Sequence, residues 1–295
     1  MRQLIFGLVA IFALSSMSSA NDSDRILELS GDYTIEVKIN DQPFKMAIDP
    51  DIGGSRVLNF ESASKLGLKG SMIGGRHRLG PVILTANSNV LRYDFGHSTD
   101  KDRTFWFKDA SATSLADGSI SASALPYSIV RFRLKPSAEG ERVFTLPLAD
   151  GGNNALLVIN GVEIAVGFNL HRDETLVPAS TGVLISEAFE GRLTGPSIPT
   201  IIRYGVERPT RLMELGKPMD VGELPLASLL VRISDFGDAS QIKEANAADF
   251  DEIVVTAESK RKPRHMMALG RAFLSKCSTL TFDYRLKQVQ MSCAL

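Results

Sequence analysis

The two halves of the chain repeat the same short motifs in the same order, and this duplication constrains the fold most strongly. Asn40 precedes Asp49 by nine residues, and Asn160 precedes Asn169 by the same distance. Three further echoes follow in order: Ser55 and Val57 with Thr175 and Val177, Arg92–Gly96 with Arg232–Gly237, and Ile120–Leu125 with Leu269–Leu274. The repeat predicts two similar halves packed about a pseudo-twofold axis, with equivalent loops facing each other.

Short runs of alternating apolar residues dominate both halves, and turn residues such as Asn160-Gly161 separate them. This pattern is typical of an all-β chain with few, short helices. The predicted strands are Tyr33–Ile39, Phe44–Ile48, Pro81–Thr85, Val90–Phe95, Thr104–Phe107, Tyr127–Leu134, Val143–Leu148, Ala155–Ile159, Glu163–Phe168, Ser228–Ile233, Glu252–Thr256, Ser278–Tyr284 and Lys287–Met291. The predicted helices and helical turns are Phe60–Leu66, Leu184–Glu190, Ala122–Leu125 and Ala268–Leu274.

The first twenty residues have the features of a secretory signal peptide. Arg2 is followed by the apolar run Leu4–Leu14, and Ser18-Ser19-Ala20 supplies small residues for cleavage. As a helix, the run covers about 16 Å of a bilayer core of roughly 30 Å, although an uncleaved anchor is the alternative. We therefore predict a periplasmic or secreted protein with no membrane contact after cleavage, divided into lobes at 21–148 and 149–295.

The cysteines Cys277 and Cys293 flank two predicted strands joined by a tight turn. In an oxidising compartment a disulfide across this hairpin is favoured, and two buried thiols are the alternative. Neither interpretation gives the cysteines a catalytic role.

The charge balance and the motifs exclude several classes of function. A total of 33 basic and 34 acidic residues gives a net charge of −1, which argues against nucleic acid as a partner. The four histidines are isolated from one another and from the cysteines, and the usual nucleotide-binding and serine-hydrolase motifs are missing. We expect no metal and no cofactor.

Several segments carry a resemblance to one family. Ile39–Asp49, Gly53–Leu58 and Ala63–Leu68 look like the N-terminal half of a retropepsin-like or pepsin-like aspartic peptidase. Leu269–Leu274 and Leu280–Arg285 resemble the closing segment of that family. The resemblance implies two pseudo-symmetric β-barrel lobes with a cleft between them. It also implies a polypeptide substrate, hydrolysed by carboxylate-activated water.

The family's chemistry requires two carboxylates about 3 Å apart that share one proton. The strand and the repeat place the first on Asp49, whereas the loop Asp51–Ser55 places it on Asp51, so both are candidate catalytic residues. Gly53 and Ser55 would support the loop, as would Thr175 in the second half. A glycine-bearing hairpin at Gly74 and Gly75 is the candidate substrate flap.

The second half departs from the family's pattern. Asn169 corresponds to Asp49 and His171 to Asp51, so neither position supplies a carboxylate, and Asp173 is the nearest acidic residue. We therefore retain two hypotheses, an aspartic endopeptidase and a catalytically degenerate homologue that binds a peptide or protein partner. The sequence does not distinguish a monomer from a homodimer, although pairing of two N-terminal halves is disfavoured because the chain's own second lobe should occupy that surface.

Overall fold

A computed structural model of the chain describes residues 25–71, 73–152, 154–235, 237–245 and 265–294. The predicted signal peptide and the predicted strand Glu252–Thr256 lie outside the described residues. Within those ranges, no helix is long and apolar enough to cross a membrane.

The N-terminal lobe is built on one seven-stranded sheet. In spatial order its strands are β2 (Thr34–Ile39), β3 (Gln42–Ile48), β8 (Gly118–Ile120), β4 (Arg56–Leu58), β7 (Thr99–Phe107), β6 (Val82–Asp94) and β5 (Gly75–Leu79). A second pairing of β2 with β6 joins Lys38 to Asp94 and Ile39 to Tyr93, so six of these strands close into a barrel. Its interior is filled by buried side chains such as Phe44, Met46 and Ile48, which alternate along β3.

The C-terminal lobe repeats this sheet strand for strand. Its order is β11 (Ala155–Ile159), β12 (Val162–Phe168), β17 (Met266–Leu269), β13 (Leu176–Pro178), β16 (Leu224–Arg232), β15 (Val206–Val221) and β14 (Gly191–Arg203). In each lobe the second and third strands in this order run parallel, with Ile48 beside Ile120 and Phe168 beside Leu269. The predicted all-β chain of two pseudo-symmetric lobes is therefore confirmed.

One of the four sequence echoes is wrong. Arg92 lies near the end of β6, whereas Arg232 ends β16, and the strand equivalent to β16 is β7. The similarity between these two segments therefore arises by chance between two β-strands. The other three echoes fall on equivalent strands and loops.

The largest structural feature missing from the predicted strands is the hairpin of β14 and β15. Its sequence contains Gly195, Pro196, Pro199, Pro209 and Pro218, which interrupt the apolar alternation expected of a strand. The pairing of the two strands shifts register between Thr194 and Ile198, so the hairpin forms with an irregularity.

A third sheet of five strands belongs to both lobes. Its order is β1 (Ile26–Leu29), β9 (Ile129–Arg133), β18 (Cys277–Asp283), β19 (Gln288–Cys293) and β10 (Arg142–Pro147). The predicted disulfide between Cys277 and Cys293 is confirmed, and it joins directly paired residues of β18 and β19. Both cysteines are fully buried.

The described helices are short, as predicted. They are α1 (Phe60–Lys65), α2 (Ala179–Phe189), α3 (Arg271–Leu274) and the 3₁₀ turns Ala122–Ala124 and Ala239–Gln241. Asn59 precedes α1, but its amide bonds to the carbonyls of Thr113 and Ala116 instead of capping the helix.

Each lobe extends the tip of one hairpin onto the other lobe. The β5–β6 turn at Gly80 lies against Asp235, such that a Cβ at Gly80 would be 1.8 Å from the carboxylate. The β14–β15 turn places Tyr204 against Phe107 and His77, with ring centroids 4.7 and 5.5 Å away. These reciprocal contacts frame the region between the lobes.

Candidate functional site

The loops that follow β3 and β12 meet between the lobes and share the same backbone geometry. The Asp49 N–H donates to the Ile120 carbonyl at 3.0 Å, and the Asn169 N–H donates to the Leu269 carbonyl at 2.8 Å. In both loops the side-chain Oδ1 then accepts the N–H two residues later, from Asp51 at 2.9 Å and from His171 at 3.0 Å. Asp49 is therefore the structural equivalent of Asn169, and each side chain closes its own turn.

The side chain of Asp51, a residue of the N-terminal lobe, contacts the C-terminal lobe. Its Oδ2 accepts a hydrogen bond from the Asn169 amide nitrogen at 3.1 Å, and its side chain is only 12% exposed. Its Oδ1 lies so close to Gly167 that a Cβ there would be 2.9 Å away. A side chain at position 167 would push the carboxylate out of this position.

Arg203 is the cation that faces Asp51. It ends β14, and its Nη2 lies 3.3 Å from Asp51 Oδ1 and donates a second hydrogen bond to the Asp51 carbonyl. Burial alone would lower the pKa of Arg203, but the negative charges of Asp51 and Asp49 outweigh it and hold that pKa above its ordinary value. Arg203 therefore stays charged and compensates the carboxylates.

The surroundings of Asp49 disfavour its charged form, whereas those of Arg203 favour the charged form. Burial raises its pKa first, and the charge of Asp51 raises it further. The Asp51 N–H and the charges of Arg203 and His171 act in the other direction without cancelling the rise. Asp49 therefore holds a proton more readily than a free aspartate does.

An aromatic layer covers Arg203 on the side of the N-terminal lobe. Tyr204 is 6% exposed and belongs to a small core with Val57, Leu79 and Phe107. Burial raises the pKa of Tyr204, and burial followed by the charge of Arg203 lowers the pKa of His77. Both shifts favour the neutral side chain at pH 7, and the two rings contact each other directly beside Arg203.

The predicted support residues lie within the two loops. The Ser55 hydroxyl donates to the Gly53 carbonyl at 3.0 Å, and Gly53 itself is exposed. The Thr175 hydroxyl accepts the Gly270 N–H at 3.3 Å, which ties the second loop to the strand beside it. Their part in a reaction stays a prediction.

The other predicted partners are placed further out. His171 is exposed at the surface of the second loop. Asp173 is 63% exposed, and its carboxylate pairs with Arg271 at 2.7 Å, so it occupies a surface ion pair instead of turning towards Asp51.

The candidate flap residues lie at the base of the β5–β6 hairpin. Gly74 precedes β5 and Gly75 begins it, whereas the tip is the turn Gly80-Pro81. A Cβ at Gly75 would be 3.2 Å from the ring of Phe105, so this glycine permits close packing of the hairpin base. A flap function for Gly74 and Gly75 stays a prediction.

The sequence did not indicate Arg203, which contacts Asp51, or Arg172, whose backbone N–H donates to Asn169 Oδ1 at 2.8 Å. Arg172 Nε donates to the Glu174 carbonyl at 3.1 Å, and burial lowers the pKa of this side chain. Arg203 is delivered by the two-residue turn Tyr204-Gly205, in which both residues have positive φ. Gly205 was the only sequence signal for this turn, because tyrosine is not a usual residue at such a position.

The arrangement joins unlike groups from the two lobes. The N-terminal lobe supplies the carboxylates of Asp49 and Asp51, and the C-terminal lobe meets Asp51 with the amide of Asn169 and the guanidinium of Arg203. An amide carries no ionisable proton, so the pair formed by Asp51 and Asn169 cannot share one as two carboxylates do. Among the described residues, no group of three or more His, Cys, Asp or Glu side chains is placed to hold a metal ion.

Comparison with known proteins gives a structural likeness only. No protein-family model matches the chain, and no curated protein matches it. The solved structures that are similar to this chain include an aspartic proteinase from Irpex lacteus. Its sequence is 9% identical to this chain, and the TM-score of the match is 0.42. That match covers 89% of this chain and 94% of the other.

Proposed function

We propose that this protein binds an extended polypeptide segment between its two lobes and does not hydrolyse it. The observation that carries the proposal is Asn169 at the position equivalent to Asp49, with its amide donated to Asp51. Aspartic-peptidase chemistry requires one carboxylate from each half to share a proton. The second half supplies an amide there.

The occupation of Asp51 also supports a binding role. A carboxylate that acts as the base needs an open acceptor position within hydrogen-bond reach of the attacking water. Here Oδ2 accepts from Asn169, and Arg203 lies 3.3 Å from Oδ1. Both oxygens of Asp51 are therefore engaged in holding the lobes together.

A polypeptide as the ligand follows from the resemblance of residues 39–68 and 269–285 to retropepsin-like peptidases, whose lobes enclose an extended chain. The predicted signal peptide and the disulfide between Cys277 and Cys293 support a periplasmic or secreted location.

An aspartic endopeptidase is the second candidate, and one observation favours it. Burial and the neighbouring charge of Asp51 raise the pKa of Asp49, so this loop holds two adjacent carboxyl groups, one of which keeps its proton more readily than a free aspartate. Acid–base hydrolysis needs one proton donor and one base. In this alternative Asp51 activates water and Asp49 supplies the proton, after Arg203 has moved away from Asp51.

The test uses the full chain with its disulfide intact. Turnover of casein and of a fluorogenic peptide library is measured from pH 3 to pH 8, and binding of the same peptides is measured by calorimetry. We expect binding without turnover, in the wild type and in Asp49→Asn. Asp220→Asn, at an exposed position of β15, serves as the control.

Turnover that is abolished by Asp49→Asn or Asp51→Asn but kept by Asp220→Asn would establish the endopeptidase instead. Absence of both turnover and peptide binding would contradict both candidates.

A further inference from the structure

The N-terminal lobe contains a stretch of one-sided charge. Residues 62–93 include five Lys or Arg residues and no Asp or Glu, in a chain whose net charge is −1. Two of the five are engaged within the fold, since Arg92 pairs with Asp41 and Lys65 lies over the ring of Phe44. The rest of the positive charge lies at Lys69, Arg76 and Arg78, on and beside β5.

Strand β5 is the edge of its sheet and pairs only with β6 among the described strands. Gly80, with φ +67°, begins the two-residue turn that pairs Leu79 with Val82. In such a hairpin the closing pair, here Leu79 and Val82, forms two backbone hydrogen bonds with each other. Along β5, every second residue from Leu79 bonds to β6 in this way, and the residues between them point their backbone groups away from β6. Arg76 and Arg78 therefore direct their N–H and C=O groups to the open side.

The side chains of β5 divide between two faces. Those of Arg76 and Arg78 are exposed, whereas His77 turns to the opposite face and packs against Tyr204 and Phe107. The open edge thus combines backbone groups that pair with no described strand with two guanidinium groups separated by one residue, which is about 7 Å along a strand.

The corresponding edge strand of the C-terminal lobe is obstructed. Pro196 and Pro199 interrupt β14, and a proline has no N–H to donate to an added strand. Leu193 already exchanges backbone hydrogen bonds with Lys243 and Ala245 at 2.9 Å each. This difference assigns an added strand to β5 and not to β14.

We propose that β5 binds an extended, acidic polypeptide segment as an additional strand, with Asp or Glu at alternate positions facing Arg76 and Arg78. This inference rests on the proposed polypeptide-binding function and names the chemical class of the ligand. The main-chain bonds would give affinity, and the charge pairs would give selectivity for the sequence. The opposite face of the added strand would point towards the layer formed by His77 and Tyr204.

The experiment uses three blocked nine-residue peptides, in which Val alternates with Glu, Gln or Lys. Calorimetry on the full chain measures their affinities, and amide hydrogen exchange locates the bound peptide. We expect the Glu peptide to bind about tenfold more tightly than the Gln peptide, the difference to shrink as salt is raised, and the amides of Arg76 and Arg78 to gain protection.

The decisive variant is Arg76→Glu/Arg78→Glu, which should abolish the preference for the Glu peptide. Arg192→Glu/Lys276→Glu changes the net charge equally at exposed positions of the other lobe and should keep the preference. Equal affinities for the three peptides, or protection away from β5, would overturn this inference and leave the proposed function standing. Failure of all three peptides to bind would overturn both.

Discussion

The loop after β3 and the loop after β12 have one backbone design and two chemistries. In both, the first residue after the strand donates its N–H to the neighbouring strand, and its side chain accepts the N–H two residues later. A carboxylate does this in the first loop at Asp49, and an amide does it in the second at Asn169. The turn needs only an oxygen acceptor, so the fold tolerates the loss of the charge on which catalysis would depend.

The same contrast extends to the hairpins that cross between the lobes. The N-terminal hairpin ends in Gly80, which leaves room for the carboxylate of Asp235. The C-terminal hairpin ends in Arg203 and Tyr204, which bring a cation to Asp51. Each lobe thus places one buried carboxylate against the hairpin tip of the other, and arginine compensates both.

Asp235 provides the largest expected effect. Its side chain is fully buried between Arg208 at 2.8 Å and Arg232 at 2.6 Å. Asp235→Asn leaves the buried guanidinium of Arg232 and the largely buried one of Arg208 without a counter-charge. We expect the free energy of unfolding to fall by about 3 kcal/mol. Urea denaturation at pH 7 measures it, with Asp220→Asn as the exposed control. A loss below about 1 kcal/mol would show that these two ion pairs add little to the stability of the fold.

Arg203 provides the next test, at the other hairpin tip. Arg203→Ala removes the cation beside the largely buried Asp51, and we expect a loss of about 2 kcal/mol. Arg142→Ala breaks an exposed pair with Glu223 and should cost less than about 1 kcal/mol. A double-mutant cycle with Asp51→Asn measures the interaction energy between Arg203 and Asp51 directly. Additive losses would mean that Arg203 and Asp51 do not interact.

Much of this architecture could be predicted because it repeats. The duplicated spacing from Asn40 to Asp49 and from Asn160 to Asn169 fixed the equivalence of the two loops before the strands were known. A two-residue turn and a buried strand of alternating side chains set that spacing. The disulfide was equally accessible, since Cys277 and Cys293 flank one hairpin.

The partners of Asp51 could not be predicted in this way. Arg203 lies 152 residues away in the chain, at the tip of a hairpin whose prolines conceal its strands. Which side of a lobe such a tip reaches is decided by packing between lobes, in this case Tyr204 on Phe107. Asp173 shows the reverse. It is close to the loop in sequence, but its carboxylate pairs with Arg271 at the surface and not with a residue of the site.

Asn169→Asp converts the C-terminal loop to the chemistry of the N-terminal loop. The new carboxylate would lie about 3 Å from Asp51, where both cannot ionise, so the folded-state pKa of one of them rises above its unfolded value of about 4. Below that unfolded pKa the variant therefore has its full free energy of unfolding. It loses part of this free energy as the pH rises through the raised folded pKa. We expect a deficit of about 1–2 kcal/mol at pH 7 that disappears near pH 4.

Urea denaturation at both pH values measures this deficit, and Asn87→Asp, at an exposed position of β6, is the control. A deficit of equal size at pH 4 would indicate a packing defect instead of charge repulsion.

Asp49→Asn makes the opposite exchange and has the smallest expected effect. The amide oxygen can accept the Asp51 N–H as Asn169 accepts that of His171, so the turn should be kept. Burial and the charge of Asp51 raise the folded-state pKa of Asp49, so the wild type is fully stable below the unfolded pKa and loses stability as the pH rises through the folded pKa. The variant lacks this loss, and its urea midpoint should fall less than that of the wild type between pH 4 and pH 8. Parallel profiles would mean that Asp49 ionises as freely in the folded protein as in the unfolded chain.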